Sequence, residues 1–437
     1  MKTTEYQCVL VQPHSHAVLA IAEANRFRLP RVHIPEATRP ALELQRAIKA
    51  RWGLNIFVLE IWVAPNGAGA CAVAELRTSE MVSPFREVPI EQFMGSELFE
   101  EEFRLLELLF EGRLKSSISQ PGWIDEAIGW IESATRRTFH SSRNIDQWNA
   151  GGGFALLRMT SDDGRHYWLK AAGRPNTHEF ALTRLLWDRC PEFLPTLVAM
   201  KSEWSAWITE HAGDSLPDAP GAGELVQVAR CWARLQLLTI GQTKELLVAG
   251  AIDQRVPALR NQIDAVIARL IEAMARQTST KAVPLSRDRL LELGEILRDA
   301  CLRLETFDIP DTLIHNDLNE GNILRNGTTY VFTDWSEAAV GNPLLSCERL
   351  CQLNRVGAEN IRAVYRDCWS DRLASGGIDE AFALTPLLAI YAYLYGRGDW
   401  LGRSTDLRPQ FESYARSLAR LMDRAARDSS LLEVVCH

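Results

Sequence analysis

The segment from Thr312 to Asp334 constrains the fold more than any other part of the chain. Three short apolar or β-rich runs alternate with polar loops and predict three short strands, at 312 to 314, at 323 to 324 and at 330 to 333. The loop after the first run reads His-Asn-Asp-Leu-Asn-Glu-Gly-Asn, and a second aspartate follows the last run, seventeen residues beyond the first. We therefore expect the side chains of Asp317, Asn322 and Asp334 to converge at one end of a hairpin.

These three residue types are the ones that phosphoryl transfer requires. A carboxylate orients the attacking hydroxyl and accepts its proton, and Mg²⁺ keeps several waters while taking one or two protein carboxylates. Turn formation, or capping of the next helix by Asp334, would explain any one of the three residues. It does not explain all of them in this order between strands, so the pattern favours a phosphotransferase.

The motif resembles the aminoglycoside phosphotransferase and choline kinase family, small-molecule relatives of protein kinases whose common form reads H-G-D-x-x-x-x-N and then D-W. The resemblance covers roughly residues 121 to 437. It implies an α+β, protein-kinase-like bilobal fold with a β-rich small lobe and a helical large lobe. It further implies that Asp317 is the catalytic base, that Asn322 and Asp334 bind Mg²⁺, and that His315 is a scaffold of the loop. ATP is the implied phosphate donor, and GTP remains open.

Three positions depart from the family pattern. Asn316 stands where the family usually has glycine, Asn319 where it often has histidine, and Ser346 where it usually has aspartate. The first two changes are expected to alter substrate access, and the third to weaken a structural contact with the loop. None removes a chemical group that the reaction requires.

A second element that phosphoryl transfer requires lies upstream, where the sequence predicts a hairpin opened by Gly151, Gly152 and Gly153. Glycines let a backbone approach phosphate closely, although a linker or hairpin tip has the same composition. Lys170 lies inside the following apolar strand, where an ammonium group is costly without an anionic partner. Glu179, on the next amphipathic helix, and nucleotide phosphates are the available anions, and the resemblance implies a lysine–glutamate pair that holds the phosphates.

The chain then reaches a predicted hinge and a helical region. Residues 207 to 213 form an apolar strand that runs into a polar, glycine-ended segment, in which Glu210 and Ala212 are expected to meet adenine. The resulting domain boundaries are 1–115, 116–213 and 214–437.

Residues 1 to 115 predict a separate small α/β domain. Strands are expected at 6–11, 17–22 and 54–64, and helices at 40–52 and 96–112. The first helix faintly resembles a Nudix box at Arg46, Ile48, Gly53 and Leu54, but Ala47, Ala50 and Arg51 replace the metal-binding glutamates. The resemblance therefore implies a binding or structural role without hydrolase chemistry. A chain starting near Ser119 is accordingly expected to keep the phosphotransfer chemistry.

Composition limits the partners. The 437 residues carry a net charge of −8 and no basic cluster, which argues against nucleic acid as a partner. Nine scattered cysteines without a C-x-x-C pair indicate reduced thiols in a cytoplasmic protein, with Cys347 and Cys351 packed in the core. The longest apolar run, residues 387 to 395, is shorter than the roughly 18 residues of a membrane span, so we expect no membrane partner.

Other functions remain alternatives. A protein kinase usually carries lysine where this chain has Asn319. Pro343 follows Asp334 within nine residues, which leaves no room for a peptide-docking segment. A nucleotide-binding pseudokinase or sensor is a further alternative, although Lys170, Asp317 and the metal residues are intact.

The substrate is expected to be a small molecule with a hydroxyl group, and its identity stays open, as does the oligomeric state. An acidic pocket for a polycation would have as candidates Glu348, Asp399 and Asp406, although the nearly balanced charge after Trp335 offers no support for one. A pocket for an apolar or cationic group would have as candidates Tyr391, Tyr395 and Trp400, for which core packing is the favoured interpretation.

Overall fold

The computed structural model describes most of the chain. The described residues are 2–12, 17–23, 26–36, 39–63, 70–77, 84–93, 97–113, 116–139, 145–372, 377–396 and 409–435. Its contacts divide the chain into two compact units, of which the first comprises Met1–Phe180 and Thr196–His211 and the second Ala181–Pro195 and Ala212–His437. The predicted α+β class is confirmed, with sheets concentrated in the first unit and helices in the second.

The first unit begins with a seven-stranded sheet, called here the N-terminal sheet. Its strands run in the order β3-β2-β1-β6-β5, with β4 on β1 and β7 on β2, and only β1 and β6 are parallel. Pro40 begins helix α1, and Gly53 ends it in a left-handed conformation at φ 72°. The elements are β1 (Thr3–Val11), β2 (Ala17–Glu23), β3 (Arg26–Arg28), β4 (Arg31–Pro35), α1 (Pro40–Trp52), β5 (Ile56–Val63), β6 (Ala70–Leu76), β7 (Phe85–Pro89) and α2 (Glu100–Phe110).

Four strands of this sheet, β3, β4, β6 and β7, were not expected from the sequence. Strand β6 is buried at every residue, but its run Ala-Cys-Ala-Val-Ala-Glu-Leu is rich in alanine, which has a low preference for strands. Tertiary packing overrides that preference because β6 lies between β1 and β5.

The rest of the first unit is an antiparallel five-stranded sheet, called here the small-lobe sheet, in the order β11-β12-β10-β9-β8. Strand β9 alternates between buried and half-buried residues, as a strand with two different faces does. The elements are α3 (Trp123–Thr135), β8 (Ile145–Asn149), β9 (Phe154–Thr160), β10 (His166–Ala172), the start of α4 (His178–Arg189), β11 (Leu197–Lys201) and β12 (Ala206–Glu210).

The two sheets of the first unit belong to one hydrophobic core, called here the shared core. It joins one face of the N-terminal sheet, helices α2 and α3, and one face of the small-lobe sheet. Trp123 of α3 lies at its centre, with its ring 5.9 Å from that of Phe57 and 5.6 Å from that of Trp204. The core is therefore continuous across the expected boundary at residue 115.

Two buried polar side chains reinforce this connection. Glu75 of β6 accepts the N–H of Gly122 at 2.6 Å, just before α3 begins, and burial raises the pKa of Glu75. Gln147 of β8 accepts the N–H of Val58 at 2.7 Å and donates to its carbonyl at 2.6 Å, so its amide continues the edge of the N-terminal sheet.

The second unit is mainly helical, with two small sheets near the predicted motif. Strands β13, β17 and β14 form one sheet, and β15 pairs with β16 in a hairpin. Residues 252 to 254 form β13, which pairs in parallel with β17. The elements are α5 (Ala222–Leu238), α6 (Thr243–Val248), β13 (Ile252–Gln254), α7 (Val256–Ala275), α8 (Arg287–Glu305), β14 (Thr312–His315), β15 (Ile323–Asn326), β16 (Thr329–Phe332), β17 (Ala338–Gly341), α9 (Leu344–Leu353), α10 (Ala358–Trp369), α11 (Gly377–Gly396), α12 (Pro409–Ala425) and α13 (Ser429–Val435).

Helix α11 extends well beyond the apolar run recognised in the sequence. Among the described helices, it is the one that is long and apolar enough to cross a membrane by length and composition, and 61% of the relevant window is buried inside the protein. A single helix of this kind is weak evidence for a membrane span, because the core helix of a soluble protein passes the same test.

Candidate functional site

The predicted motif folds as a strand, a loop and a hairpin. Strand β14 ends at His315 and pairs with β17, with His315 opposite Ala338. The loop from His315 to Asn322, called here the Asp317 loop, leads into the hairpin of β15 and β16. Because Ile323 pairs with Phe332, the register brings Asn322 beside Thr333, whose N–H donates to the Asn322 carbonyl at 3.0 Å.

Asp317 and Asn322 are in direct contact. The Asn322 side-chain amide donates to the Asp317 carboxylate at 3.1 Å and to the Asp317 carbonyl oxygen at 2.8 Å. These two bonds orient the carboxylate and turn the amide oxygen of Asn322 away from it. The five-residue spacing seen in the sequence thus produces one joined pair of oxygen-bearing side chains.

His315 lies beneath the loop and is fully buried. Its Nε2 is 2.9 Å from the carbonyl of Thr333, which only accepts, so Nε2 carries the proton. Its ring centroid is 4.9 Å from that of Trp335, which in turn stacks on Trp232. His315 therefore joins the start of the Asp317 loop to the residue before Asp334 and does so from within the core.

Asp334 has a left-handed backbone, at φ 63° and ψ 71°, which is uncommon for a residue other than glycine. Its Oδ1 accepts the hydroxyl hydrogen of Ser336 at 2.9 Å. Its side chain makes no capping bond to the short 3₁₀ helix that follows. Helix capping thus does not account for this aspartate, and a strained backbone that holds a carboxylate is typical of functional sites.

The three departures from the family pattern make local contacts. The Asn316 side chain donates to the carbonyl of Glu337 at 3.0 Å, and Asn319 accepts the N–H of Gly321 at 2.9 Å. The Ser346 hydroxyl accepts the backbone N–H of His315 at 3.4 Å, so this position still contacts the loop. Each of these three side chains therefore stabilises the local backbone through a hydrogen bond.

Lys170 and Glu179 form a buried ion pair in the first unit. The Lys170 ammonium lies 2.6 Å from Glu179 Oε1, and the two residues are 9% and 1% exposed. The ammonium also lies 5.6 Å from the ring centroid of Phe154 and 5.8 Å from that of Trp207. The expected strand-to-helix pairing is present, and aromatic rings surround the cation.

The three glycines form the turn between β8 and β9, called here the glycine turn. Gly151 has φ +111°, a conformation that strains other residues. The N–H of Gly152 is not directed to open solvent, because it donates to the Glu60 carboxylate at 2.9 Å. Sequence reasoning missed Glu60, although its place in the apolar run of β5 was a usable signal.

The predicted hinge residues divide between the two units. Glu210 ends β12 with an exposed side chain, and its N–H donates to the carbonyl of Thr196 at 3.0 Å. In the second unit, Ala212 is buried and precedes Gly213, at φ +103°, where an added Cβ would lie 1.9 Å from the carbonyl oxygen of Arg325. The adenine-binding role of Glu210 and Ala212 stays a prediction.

The substrate-pocket candidates have structural partners where they are described. The Arg362 guanidinium donates a hydrogen bond to the Glu348 carboxylate at 2.8 Å. Burial nevertheless raises the pKa of Glu348. Tyr391 is fully buried and donates to the carbonyl of Leu259 at 2.7 Å, which is core packing. Tyr395 is half-buried. Asp399, Trp400 and Asp406 lie outside the described residues.

The donor set suits a hard cation. Asp334 and Asn322 offer carboxylate and amide oxygens, which Mg²⁺ prefers over nitrogen and sulfur ligands. Within the described ranges, no group of three or more histidine, cysteine, aspartate or glutamate residues is arranged to hold a metal. The oxygens of Asp334 and Asn322 fit an ion that takes few protein ligands and keeps its waters.

The cysteines described by the structure are all free thiols, and most are buried: Cys8, Cys71, Cys190, Cys231, Cys301, Cys347, Cys351 and Cys368. This agrees with the expectation of reduced, mainly structural cysteines.

A buried strand lysine paired with a helix glutamate, and an Asp-Asn loop followed by a hairpin and a second aspartate, are features of a kinase-like fold. No protein-family model matches the chain. No curated protein matches it.

Solved structures of small-molecule phosphotransferases are similar to the chain. A choline/ethanolamine kinase family protein from Mesorhizobium loti has 11% identity and a TM-score of 0.47, covering 71% of this chain and 97% of its own. The macrolide 2'-phosphotransferase from Brachybacterium faecium has 15% identity and a TM-score of 0.47, covering 68% and 97%. Choline kinase from Cryptosporidium parvum has 12% identity and a TM-score of 0.49, covering 69% and 94%. At such identities, activity must be inferred from this chain's own residues.

Proposed function

We propose that this protein is a Mg²⁺-dependent phosphotransferase that moves the γ-phosphate of a nucleotide, ATP in the first instance, to a hydroxyl group of a small molecule. The observation that carries the proposal is the pair formed by Asp317 and Asn322, with Asn322 amide bonds of 3.1 and 2.8 Å to the aspartate. An aspartate that only formed a turn would have no need of a second side chain to orient it.

Asp317 acts as the base. Its carboxylate accepts the hydroxyl proton of the substrate while the hydroxyl oxygen forms a bond to the γ-phosphorus. The bond between that phosphorus and the bridging oxygen breaks, and the nucleoside diphosphate leaves. Asn322 fixes the direction of the carboxylate, and the buried His315 keeps the loop at a constant distance from Thr333 through its 2.9 Å contact.

Lys170 neutralises phosphate oxygens. Glu179 holds the ammonium in place at 2.6 Å, so the cation is ordered before the nucleotide binds. Asp334 and Asn322 would hold the metal. When bound, Mg²⁺ would stabilise the negative charge on the oxygens of the transferred phosphoryl group. The left-handed backbone of Asp334 and the Ser336 hydroxyl orient the carboxylate for this role.

The test measures Mg²⁺-dependent nucleotide binding and then ATP consumption across small alcohols, sugars, amino alcohols and antibiotics. Asp317→Ala should lower turnover by ~10²- to 10⁴-fold and leave nucleotide affinity nearly unchanged, because the base acts on the acceptor hydroxyl. Glu320→Ala, which removes another carboxylate of the same loop, is the matched control and should keep turnover. Retention of more than about a third of the wild-type rate by Asp317→Ala would exclude the base assignment. Nucleotide binding without turnover on any acceptor would instead favour a non-catalytic sensor.

A further inference from the structure

An acidic residue lies alone in an otherwise apolar strand of the N-terminal sheet. Strand β5 reads Ile-Phe-Val-Leu-Glu-Ile-Trp-Val, and its pairing with β6 shifts register between Val58 and Glu60. This bulge places Glu60 opposite Val73, on the same side of the sheet as Leu59. Because Leu59 and Val73 both belong to the shared core, the bulge directs Glu60 toward the small-lobe sheet.

Both oxygens of the Glu60 carboxylate are engaged there. Oε2 accepts the N–H of Gly152 at 2.9 Å and the hydroxyl hydrogen of Ser119 at 3.3 Å, and Oε1 accepts the N–H of Ile61 at 3.3 Å. Ser119 is 1% exposed, so the contact is partly shielded from water. A charged acceptor in such a place makes a stronger bond than a neutral one.

The glycine turn is enclosed between Glu60 and Gly173. A Cβ added to Gly151 would lie 2.7 Å from Glu60 Oε1, and one added to Gly173 would lie 1.7 Å from the carbonyl oxygen of Gly152. The N–H of Gly173 also donates to the carbonyl of Gly153 at 2.8 Å. The carboxylate on one side and the backbone that follows β10 on the other therefore restrict the position of the turn.

The strand that enters the turn is attached to the same edge of the N-terminal sheet. Gln147 of β8 makes its two bonds to Val58, two residues before Glu60. The pairing of β8 with β9 shifts register between Gln147 and Asn149, directly before the turn. Two points of β5 thus determine where the glycine turn begins and how it is oriented.

Lys170 lies on the other face of the small-lobe sheet. Ala155, Leu157, Leu169 and Ala171 face the shared core, whereas Lys170 pairs with Leu156 and contacts Phe154. Glu60 extends from the core side of the small-lobe sheet, so it supports the glycine turn on the face opposite Lys170. Its hydrogen bond to Gly152 therefore does not occupy the Lys170 face of the turn, which remains available to a ligand.

We propose that Glu60 is a positioning residue, contributed by the N-terminal domain, that holds the glycine turn in the conformation that binds nucleotide phosphates. This inference rests on the proposed function. The N-terminal domain then contributes to the reaction without catalysing a step itself. It supplies a fixed hydrogen-bond acceptor, the Glu60 carboxylate, that orders the glycine turn before the nucleotide binds. Ordering the turn in advance removes part of the entropy cost of binding.

The experiment compares two conservative variants, one that removes the charge of the Glu60 side chain and one that shortens it. Glu60→Gln keeps an oxygen acceptor at the same distance without the charge, whereas Glu60→Asp keeps the charge on a side chain one methylene too short to reach Gly152. Glu87→Asp, at an exposed position of strand β7 in the same sheet, is the matched control. The dissociation constant of Mg·ATP is measured by calorimetry, and amide hydrogen exchange is followed in peptides that cover residues 149 to 154.

Glu60→Asp should weaken Mg·ATP binding by about tenfold and speed exchange in the glycine turn. Glu60→Gln should stay within about threefold of wild type in both measurements, and Glu87→Asp should match wild type. Equal affinity for wild type and Glu60→Asp overturns the inference, as does equal weakening by Glu60→Gln, which would indicate charge rather than position. Tighter binding by either variant also overturns it, because the carboxylate would then compete with phosphate.

Failure of the proposed function gives a different result. If the wild-type protein binds no Mg·ATP, the phosphotransferase proposal and this inference both fall. If the wild-type protein binds Mg·ATP and the Glu60 variants do not differ from it, only the positioning role falls.

Discussion

Gln147→Leu tests whether the two sheets of the first unit are joined by a specific polar contact. The Gln147 side chain is fully buried and exchanges two hydrogen bonds, of 2.7 and 2.6 Å, with the backbone of Val58, which is 1% exposed. Leucine fills a similar volume but leaves the N–H and carbonyl of Val58 without these bonds. Each such buried group costs about 1–3 kcal/mol, and the apolar side chain returns about 1–2 kcal/mol. At the midpoints of these ranges the two groups cost about 4 kcal/mol and the side chain returns about 1.5 kcal/mol, so we expect the free energy of unfolding to fall by about 2–3 kcal/mol.

Urea unfolding followed by tryptophan fluorescence measures the change, because Trp123 lies within the shared core and Trp204 packs against it. Amide hydrogen exchange in peptides covering residues 56 to 60 reports on Val58 directly. Gln92→Leu, at an exposed position of the same domain, is the control and should change stability by less than about 0.5 kcal/mol. A loss below about 1 kcal/mol for Gln147→Leu, with unchanged exchange at Val58, would refute the reasoning.

Three further predictions concern other parts of the protein. Asp334→Asn should sharply raise the Mg²⁺ concentration needed for turnover and Asn322→Ala should raise it more mildly, whereas Asp308→Asn, at another aspartate with a left-handed backbone, should leave the Mg²⁺ titration unchanged; wild-type titrations for both site variants would contradict the metal assignment. Burial raises the pKa of Asp311 to about 6, so between about pH 4 and 6 the folded state holds a proton that the unfolded chain releases, and stability falls as pH rises through that window. Asp311→Asn should therefore stabilise the protein by about 1 kcal/mol at pH 7.5, after allowance for its partial exposure, and not at pH 4; an equal effect at both pH values in thermal unfolding would contradict this. A chain starting at Ser119 should aggregate or unfold, because the shared core crosses the expected boundary, and a soluble, cooperatively unfolding fragment would show that the small-lobe sheet needs no N-terminal domain.

The expectation that such a fragment would keep its chemistry came from treating residues 1 to 115 as separable. Sequence periodicity indicates that an element has an apolar face, but not which other element covers it. Trp123 illustrates the difficulty: its contacts with Phe57 and Trp204 span 66 and 81 positions of the chain. A boundary drawn from composition divides this core.

Strand prediction in the N-terminal domain found β1, β2 and β5 but missed the other four strands, for a related reason. Helix α1 was predicted at its actual bounds, because Pro40 and Gly53 are local signals for a start and an end. Strand β6 was missed because its alanines have no such local preference and become a strand only between two neighbours.

The sequence by itself determined the groups available for chemistry and the short-range geometry among them. Asp317 and Asn322 lie five residues apart in one loop, and Lys170 and Glu179 lie nine apart on a strand and the next helix, so short connections suffice to bring each pair together. The tertiary structure alone decided what supports them. Glu60 meets Gly152 across 92 positions, and Val58 meets Gln147 across 89. Contacts at that separation depend on the register of two sheets and on a bulge in each edge strand, which arise from packing the whole unit and leave no periodic trace in the sequence.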